Sequence, residues 1–422
     1  MLLRVKNVGM IESASIELNG ITVIAGLNNT GKSTVGKMLF CIFNSFFRIN
    51  EQIETERRSL VNRVLTRALY EDSDHEYREF DIDGVARTII KGENEAMGDS
   101  ISFQNYITGL LTRNDAELEK YVSQIKMDEL AEITMNILNV SDEEILANIL
   151  HKKLIAEFNM QINSIHFPRK MSEITLTIKN VEMMIKIKNN KDLSISNSMS
   201  LNTEAIYFDD PYALDDLRNI QPRSNQTHRA QLRRCLLRES TTSVKDTLIE
   251  IITSKKLERV FEKLDSVCPG ELVRKPNRTF AYGEGKAKTM IDIVNVSAGL
   301  KTFAIIKTLL LNGSLEENGT IILDEPEIHL HPEWQLVFAE LIVLIQKEFK
   351  MHILINTHSP YFLYALEVYS YRHGITDKCK YYLTEVNGST SAILDVSANI
   401  ESIYKILGRP FQDLENERFS DD

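Results

Sequence analysis

The chain has 422 residues, 43% of them hydrophobic and 26% charged, the balance of a soluble globular protein with a large core and more than one subdomain. Its net charge of −11 argues against a generally basic protein that coats nucleic acid, although a local basic groove stays open. The four cysteines, Cys41, Cys235, Cys268 and Cys379, include no C-x-x-C pair, so neither a disulfide framework nor a structural zinc site is expected. The opening residues MLLRVKNVGMIESASIEL lack the charged start and apolar run of a signal peptide. No stretch approaches the ~18 apolar residues of a membrane span. The expectation is a cytoplasmic protein without a membrane partner.

Residues 2–25 read as three short strands. LLRVKNV and ASIEL alternate, and ITVIAG is a continuous apolar run suited to a buried strand. The loop GLNNTGKST follows, then TVGKMLFCIFNSFF with the pattern of a buried helix. Residues 46 to about 170 have helical period and many acids, with capping boxes at Asn114/Glu117 and Ser141/Glu144. SEITLTIKN, VEMMIKIKNN and KDLSISN alternate with period two between Asn-rich breaks, which predicts an antiparallel meander. EAIYFDDP reads as a further strand ended by Pro211, and residues 212–266 return to helix.

From residue 277 the pattern is α/β. RTFAYGEG and KTMIDIVNV are predicted strands, and AGLKTFAIIKTLLLNG is a helix closed by Gly313. TIILDE and MHILINTHS are buried strands that flank the helix PEWQLVFAELIVLIQKEF, with Pro332 in its first turn. PYFLYALEVYS is a helix, KYYLTEV and SAILDVS are strands, and a short helix ends the chain.

GLNNTGKST matches G-x-x-x-x-G-K-[ST] between a buried strand and a helix. Gly26, Asn28, Asn29, Thr30, Gly31, Lys32, Ser33 and Thr34 are the candidate phosphate cradle. Backbone N–H groups can curl around a phosphate there, and the helix start adds a favourable dipole. Lys32 would reach the β and γ phosphates, and the Ser33 hydroxyl would hold Mg2+. TIILDEP supplies the second metal ligand, Asp324, at the end of an apolar strand. Glu325 follows and could polarise a water in line with the γ-phosphate.

NVSAGLKTF resembles the signature motif of ABC-type ATPases, with Ser297 and Gly299 at the motif's serine and second glycine. Ala298 stands in place of the first glycine, and Leu300 follows the second. The resemblance implies that Ser297 and the next helix start bind the γ-phosphate held by another subunit's P-loop. In ILINTHSP, His358 occupies the place of the family's switch histidine, which contacts the γ-phosphate and the attacking water. DEPEIHLHPEWQ and THSPYFL are similar to the OLD-type, RecF-like AAA-15 group at Asp324, Glu325, Pro326, Glu327, Leu330, His331, Pro332 and Gln335. The long coiled coils of SMC-like members and the Toprim nuclease of OLD proteins are not expected in this chain. The chain is similar instead to stand-alone AAA-15 ATPases. Many of these act beside a separate effector in anti-phage modules such as Septu, PARIS and retron systems.

These resemblances imply an α/β P-loop NTPase of the ABC-type head class. Residues 1–45 and 172–210 would form one ATPase lobe, 46–171 a helical insertion, 211–276 a helical segment and 277–422 the second lobe. Two chains would close head to head around ATP and Mg2+, using Lys32, Ser33, Asp324, Glu325 and His358 of one and Ser297 of the other. Glu327, His329 and His331 are expected to face that dimer interface. The expected output is control of a nuclease or toxin effector. A RecF-like ATPase acting directly on DNA is the alternative, and a transporter ATPase subunit is a weaker third. Arg223, Arg229, Arg233, Arg234 and Arg238 could touch nucleic-acid phosphates or form a solvated, salt-bridged helix face. Arg4 and Lys6 on the first strand are further candidates for a nucleotide contact. The family's Q-loop glutamine has no motif to place it; Gln104 and Gln161 are the candidates.

Overall fold

The computed structural model describes residues 1–70, 81–92, 100–112, 122, 125–167, 169–218, 226–238, 258–275, 279–283 and 290–420. It divides into two compact units, one of residues 1–44 and 150–422, the other of residues 45–149.

The larger unit is built on an 11-stranded mixed sheet. Its antiparallel wing holds β1 (Leu2–Val8), β2 (Ile11–Glu17), β4 (Ser172–Ile178), β5 (Val181–Lys188) and β6 (Asp192–Ser196). The central part contains β3 (Ile21–Ala25), β7 (Ala205–Phe208), β11 (Thr320–Asp324), β12 (His352–Thr357), β13 (Cys379–Asn387) and β14 (Thr390–Asp395). The strand order is β6-β5-β4-β1-β2-β14-β13-β3-β12-β11-β7. Strands from 2–25, 172–208 and 320–395 thus share one sheet, across the sequence boundary between the two expected lobes.

The neighbours β13-β3-β12-β11-β7 pair in parallel. Parallel strands covered on both faces read as unbroken apolar runs, and all five residues of β3 are buried. Register then aligns the strand ends: Ala25 faces Thr357, and Asp324 faces Asn356. The segments after β3, β11 and β12 therefore leave the sheet along one carboxyl edge, where open α/β sheets place their ligands.

α1 (Lys32–Phe46) follows β3 at this edge. Next come the insertion helices α2 (Ile49–Tyr70), α3 (Ile82–Lys91), α4 (Ser100–Thr112), α5 (Met127–Asn139) and α6 (Asp142–Phe158). The smaller unit packs Val61, Leu65, Ala86, Ile89, Phe103, Ile107 and Leu130 into its own core. The capping box at the start of α6 is formed: the Glu144 N–H donates to Ser141 Oγ, and the Ser141 N–H donates to Glu144 Oε2, each at 3.3 Å. The Asn114/Glu117 box lies outside the described residues.

α7 (His228–Leu236), α8 (Ala298–Leu311), α9 (Pro332–Phe349), α10 (Pro360–Arg372) and α11 (Glu401–Ser420) complete the larger unit. Phe303, Phe338 and Phe362, from α8, α9 and α10, join in one aromatic train in the core. A small antiparallel sheet joins β8 (Glu271–Arg274), β9 (Phe280–Gly283) and β10 (Met290–Asp292).

Three elements depart from the sequence reading. The strand expected over KTMIDIVNV ends at Asp292, whose Oδ1 accepts from the Val294 N–H and starts a 3-10 turn. Helix in 212–266 is confined among described residues to α7 and a short stretch from 258, with a 3-10 helix at Pro211–Arg218; residues 239–257 lie outside the description. The last helix is 20 residues long and runs through Gly408 and Pro410, the two residues that locally argue for an end. Its Ile403 and Leu407 are buried in the core, and tertiary packing overrides the local preference.

Candidate functional site

The loop after β3 is shaped by backbone that side chains resist. Gly26 has φ +147°, and a Cβ there would lie 1.9 Å from Thr384 Oγ1 on β13. Asn29 and Gly31 also have positive φ, 58° and 90°. Asn28 and Asn29 are exposed at the turn, while Ser33 and Thr34 are half-buried on the first turn of α1. Thr30 is the loop's buried anchor. Its Oγ1 lies 2.8 Å from the Leu27 carbonyl and 2.7 Å from Thr384 Oγ1, and its carbonyl accepts from Ser391 Oγ at 2.7 Å. Strands β13 and β14 thereby hold the loop from the side. Gly26→Ala is expected to cost on the order of 1–3 kcal/mol, and to weaken nucleotide binding because Thr384 must shift. Thermal melts and nucleotide titration of the variant check this.

Lys32 is only 4% exposed, and its Nζ donates to the carbonyls of Gly26 at 3.1 Å and Leu27 at 2.7 Å. Burial lowers its pKa from the ordinary lysine value, against the opposing pull of Glu325, Asp324 and Glu327. Three carboxylates from the β11 end are thus electrostatically coupled to the loop's ammonium group.

Asp324 is clamped on both oxygens. Tyr207 Oη donates to Oδ2 at 2.5 Å, and Asn356 Nδ2 donates to Oδ1 at 2.9 Å. Burial, with the charge and hydrogen bond of Asp324, pushes the Tyr207 phenol well above its usual range, so it stays a neutral donor. Tyr207 packs at 4.5 Å on the ring of His228. That ring lies between Glu157 Oε2 at 2.7 Å and Asp209 Oδ2 at 3.1 Å. Burial opposes charge on His228, but hydrogen bonds to Asp209 and Glu157 outweigh it and raise its pKa. Close approach on the other side requires Gly36, where a Cβ would meet the Tyr207 ring at 2.9 Å and Ile322 at 3.0 Å.

Glu325 has φ +52°, a strained value for a side chain with a Cβ, and its N–H donates to the Asn356 carbonyl at 2.9 Å. Strain that the surrounding structure holds in place is a mark of a functional turn. The turn brings Glu325 Oε1 to 3.2 Å from His358 Nδ1, with both side chains partly exposed. Glu327 corrects the expectation that it faces an interface: it is 2% exposed and accepts from Thr357 Oγ1. His329 and His331 are exposed; His329 lies edge-on to Tyr212, and His331 Nδ1 caps the start of α9.

The edge therefore gathers the 26–34 loop, Asp324, Glu325 and His358. Ser297 and Gly299 belong to a second neighbourhood. Ser297 is exposed and its Oγ caps α8, accepting from the Leu300 N–H at 3.4 Å. A Cβ at Gly299 would meet the His329 carbonyl at 3.0 Å and the Trp334 ring at 3.2 Å, so its glycine lets the start of α8 pack on the turn after β11.

The arginines of α7, and Arg238 just beyond it, take the salt-bridged alternative. Arg229 pairs with Asp209 and Asp210, Arg233 with Asp216, and both Arg234 and Arg238 with Glu204. Arg223 lies outside the described residues. Arg4 and Lys6 face Glu182 and Glu173 on the antiparallel wing. Gln104 donates to Asp128 within the helical unit, and Gln161 is exposed beyond α6.

Sequence reasoning missed Tyr207, Asn356, Thr357, Thr384 and Ser391. Asn356 and Thr357 carried a readable signal, two polar residues at the end of an apolar strand run. Tyr207 carried none, because its hydroxyl hides in an ordinary strand pattern.

The AAA-15 family, described as an AAA ATPase domain, matches residues 1–363. This chain belongs to the AAA-15 family. A curated relative of this AAA-15 ATPase, the "Retron Ec83 probable ATPase" of Escherichia coli, is 25% identical over 180 residues, 38% of this chain and 31% of the relative. The match therefore spans under a third of that relative's length. Among solved structures, an SMC head bound to the C-winged helix domain of ScpA aligns at 11% identity with a TM-score of 0.44, covering 95% of this chain and 98% of that one. The SMC head domain from Thermotoga maritima aligns at 11% identity and TM-score 0.39, covering 94% and 98%. Among the described residues no helix is long and apolar enough to cross a membrane.

Proposed function

We propose that this ATPase binds MgATP at the carboxyl edge of its sheet, hydrolyses it, and uses the cycle to switch a separate effector protein. The observation that carries the reading is the convergence of Lys32, Asp324, Glu325 and His358 at the ends of three adjacent strands. Lys32 would exchange its two carbonyl acceptors for phosphate oxygens. The donor set fits Mg2+, which takes one or two protein oxygens and fills its octahedron with phosphate and water. Ser33 and Asp324 would hold it, since each clamped Asp324 oxygen keeps a second lone pair. The bound ion would neutralise developing phosphate charge. Glu325 would orient and polarise the attacking water, with His358 beside it at 3.2 Å.

The exposed Ser297 at the start of α8 would complete the nucleotide site of a second copy, making ATP the bridge of a head-to-head dimer. The arginines of α7 are paired with acids, which disfavours the reading that they bind DNA phosphates. The retron-associated relative supports an effector-controlling role in anti-phage defence.

Ser297→Arg tests the shared site. The variant is expected to bind ATP normally, to lose ATP-dependent dimerisation, and to turn over ATP about 10²-fold more slowly. Unchanged turnover and mass would sink the shared-site reading.

A further inference from the structure

Glu327 does not enter the chemistry outlined above, yet it is buried beside it. Its Oε1 accepts the only proton of the Thr357 hydroxyl. That hydroxyl in turn accepts from the Ser359 N–H at 3.0 Å. The two links bracket His358 on both sides in sequence. The main chain at Glu327 is fixed as well: its carbonyl accepts from the Leu330 N–H at 3.0 Å and from Gln335 Nε2 at 3.3 Å. Gln335 also donates to the Leu330 carbonyl at 3.1 Å, tying the turn to the first helical residues of α9. Glu327 Oε2 is buried without a hydrogen-bond partner among the described residues.

We infer that Glu327 is a positioning residue: through Thr357 it locks the His358 loop to the turn that carries Asp324 and Glu325, and so sets the His358–Glu325 approach. The inference rests on the proposed hydrolytic reading of that edge. The geometry explains why the link is a polar one. An apolar pair would fill the space but would leave the Ser359 N–H and the loop's direction unfixed, whereas a chain of two hydrogen bonds fixes distance and angle together. Burial raises the Glu327 pKa from its ordinary value, the Thr357 hydrogen bond opposing it, and Oε1 accepts from Thr357 in either protonation state. A glutamine keeps that acceptor and the shape; an alanine removes both.

The test compares Glu327→Ala, Glu327→Gln, Thr357→Val and Thr357→Ser in the full chain. Steady-state turnover and MgATP binding are measured beside ¹⁵N-histidine NMR of His358, assigned by its loss in His358→Gln. Expected are a fall in kcat of about 10- to 100-fold in Glu327→Ala and Thr357→Val, binding retained, and recovery toward wild type in Glu327→Gln and Thr357→Ser. The His358 signals are expected to move in the first pair and return in the second. Thr357→Val is the smaller perturbation and keeps the test alive if Glu327→Ala does not fold. The inference is overturned if kcat and the His358 signals stay put in Thr357→Val, or if Glu327→Gln behaves like Glu327→Ala. A wild-type chain without turnover would instead refute the hydrolytic reading, and the NMR comparison would still decide the loop.

Discussion

Glu325→Gln is expected to lower ATP turnover by about 10²- to 10⁴-fold, the range for removing a positioned general base, while ATP stays bound. A glutamate at φ +52° is held there by the bond from its N–H to the Asn356 carbonyl, so the side chain is aimed by the sheet edge. Its carboxylate stands 3.2 Å from His358 Nδ1. Glutamine preserves size and the turn but cannot take a proton from water. Steady-state phosphate release, with binding measured separately, checks the split between kcat and affinity. A turnover within about tenfold of wild type would remove Glu325 from the base role.

Lys32→Ala is expected to remove nucleotide binding as well as turnover, with at least a ~10³-fold loss in kcat/KM, because phosphate positioning and charge neutralisation go together. The buried ammonium is the loop's fixed cation, and three carboxylates bear on its protonation. Its loss would leave Asp324 and Glu325 beside a triphosphate with no compensating charge from the loop. Equilibrium binding of a labelled ATP analogue should show the loss directly, and a melting temperature near wild type would confirm that the fold survives. Arginine at the same position is not a rescue, since a planar fork cannot occupy the pocket that a single ammonium fills between two carbonyls.

Much of this was legible in the residues. A glycine-rich loop between a buried strand and a helix has few other uses, so 26–34 could be read as a candidate phosphate cradle. TIILDEP and ILINTHS were legible as strands because parallel strands covered on both faces are apolar throughout. What local patterns cannot carry is register. Nothing in the sequence states that Asp324 pairs with Asn356, or that Tyr207 reaches Asp324 across the sheet. Glu327 was misplaced for the same reason. In DEPEIHLHP its acid groups with His329 and His331 as an interface turn, and only the fold shows it turned inward onto Thr357. The α7 arginines could be read as a phosphate-binding face or a paired one, and the deciding acids, Glu204, Asp209, Asp210 and Asp216, come from earlier segments. The last helix exceeded its expected length because Ile403 and Leu407 anchor its first half against local breakers.

The central claim is that the sheet edge is an ATP site completed by a second copy. Sedimentation velocity of the Glu325→Gln chain with Mg2+ and an absorbing ATP analogue tests it most directly. The expected result is one nucleotide per chain travelling in a boundary of at least twice the monomer mass, returning to monomer with the diphosphate. Nucleotide left behind at the meniscus would contradict the site, and nucleotide carried by a monomer would contradict its completion in trans.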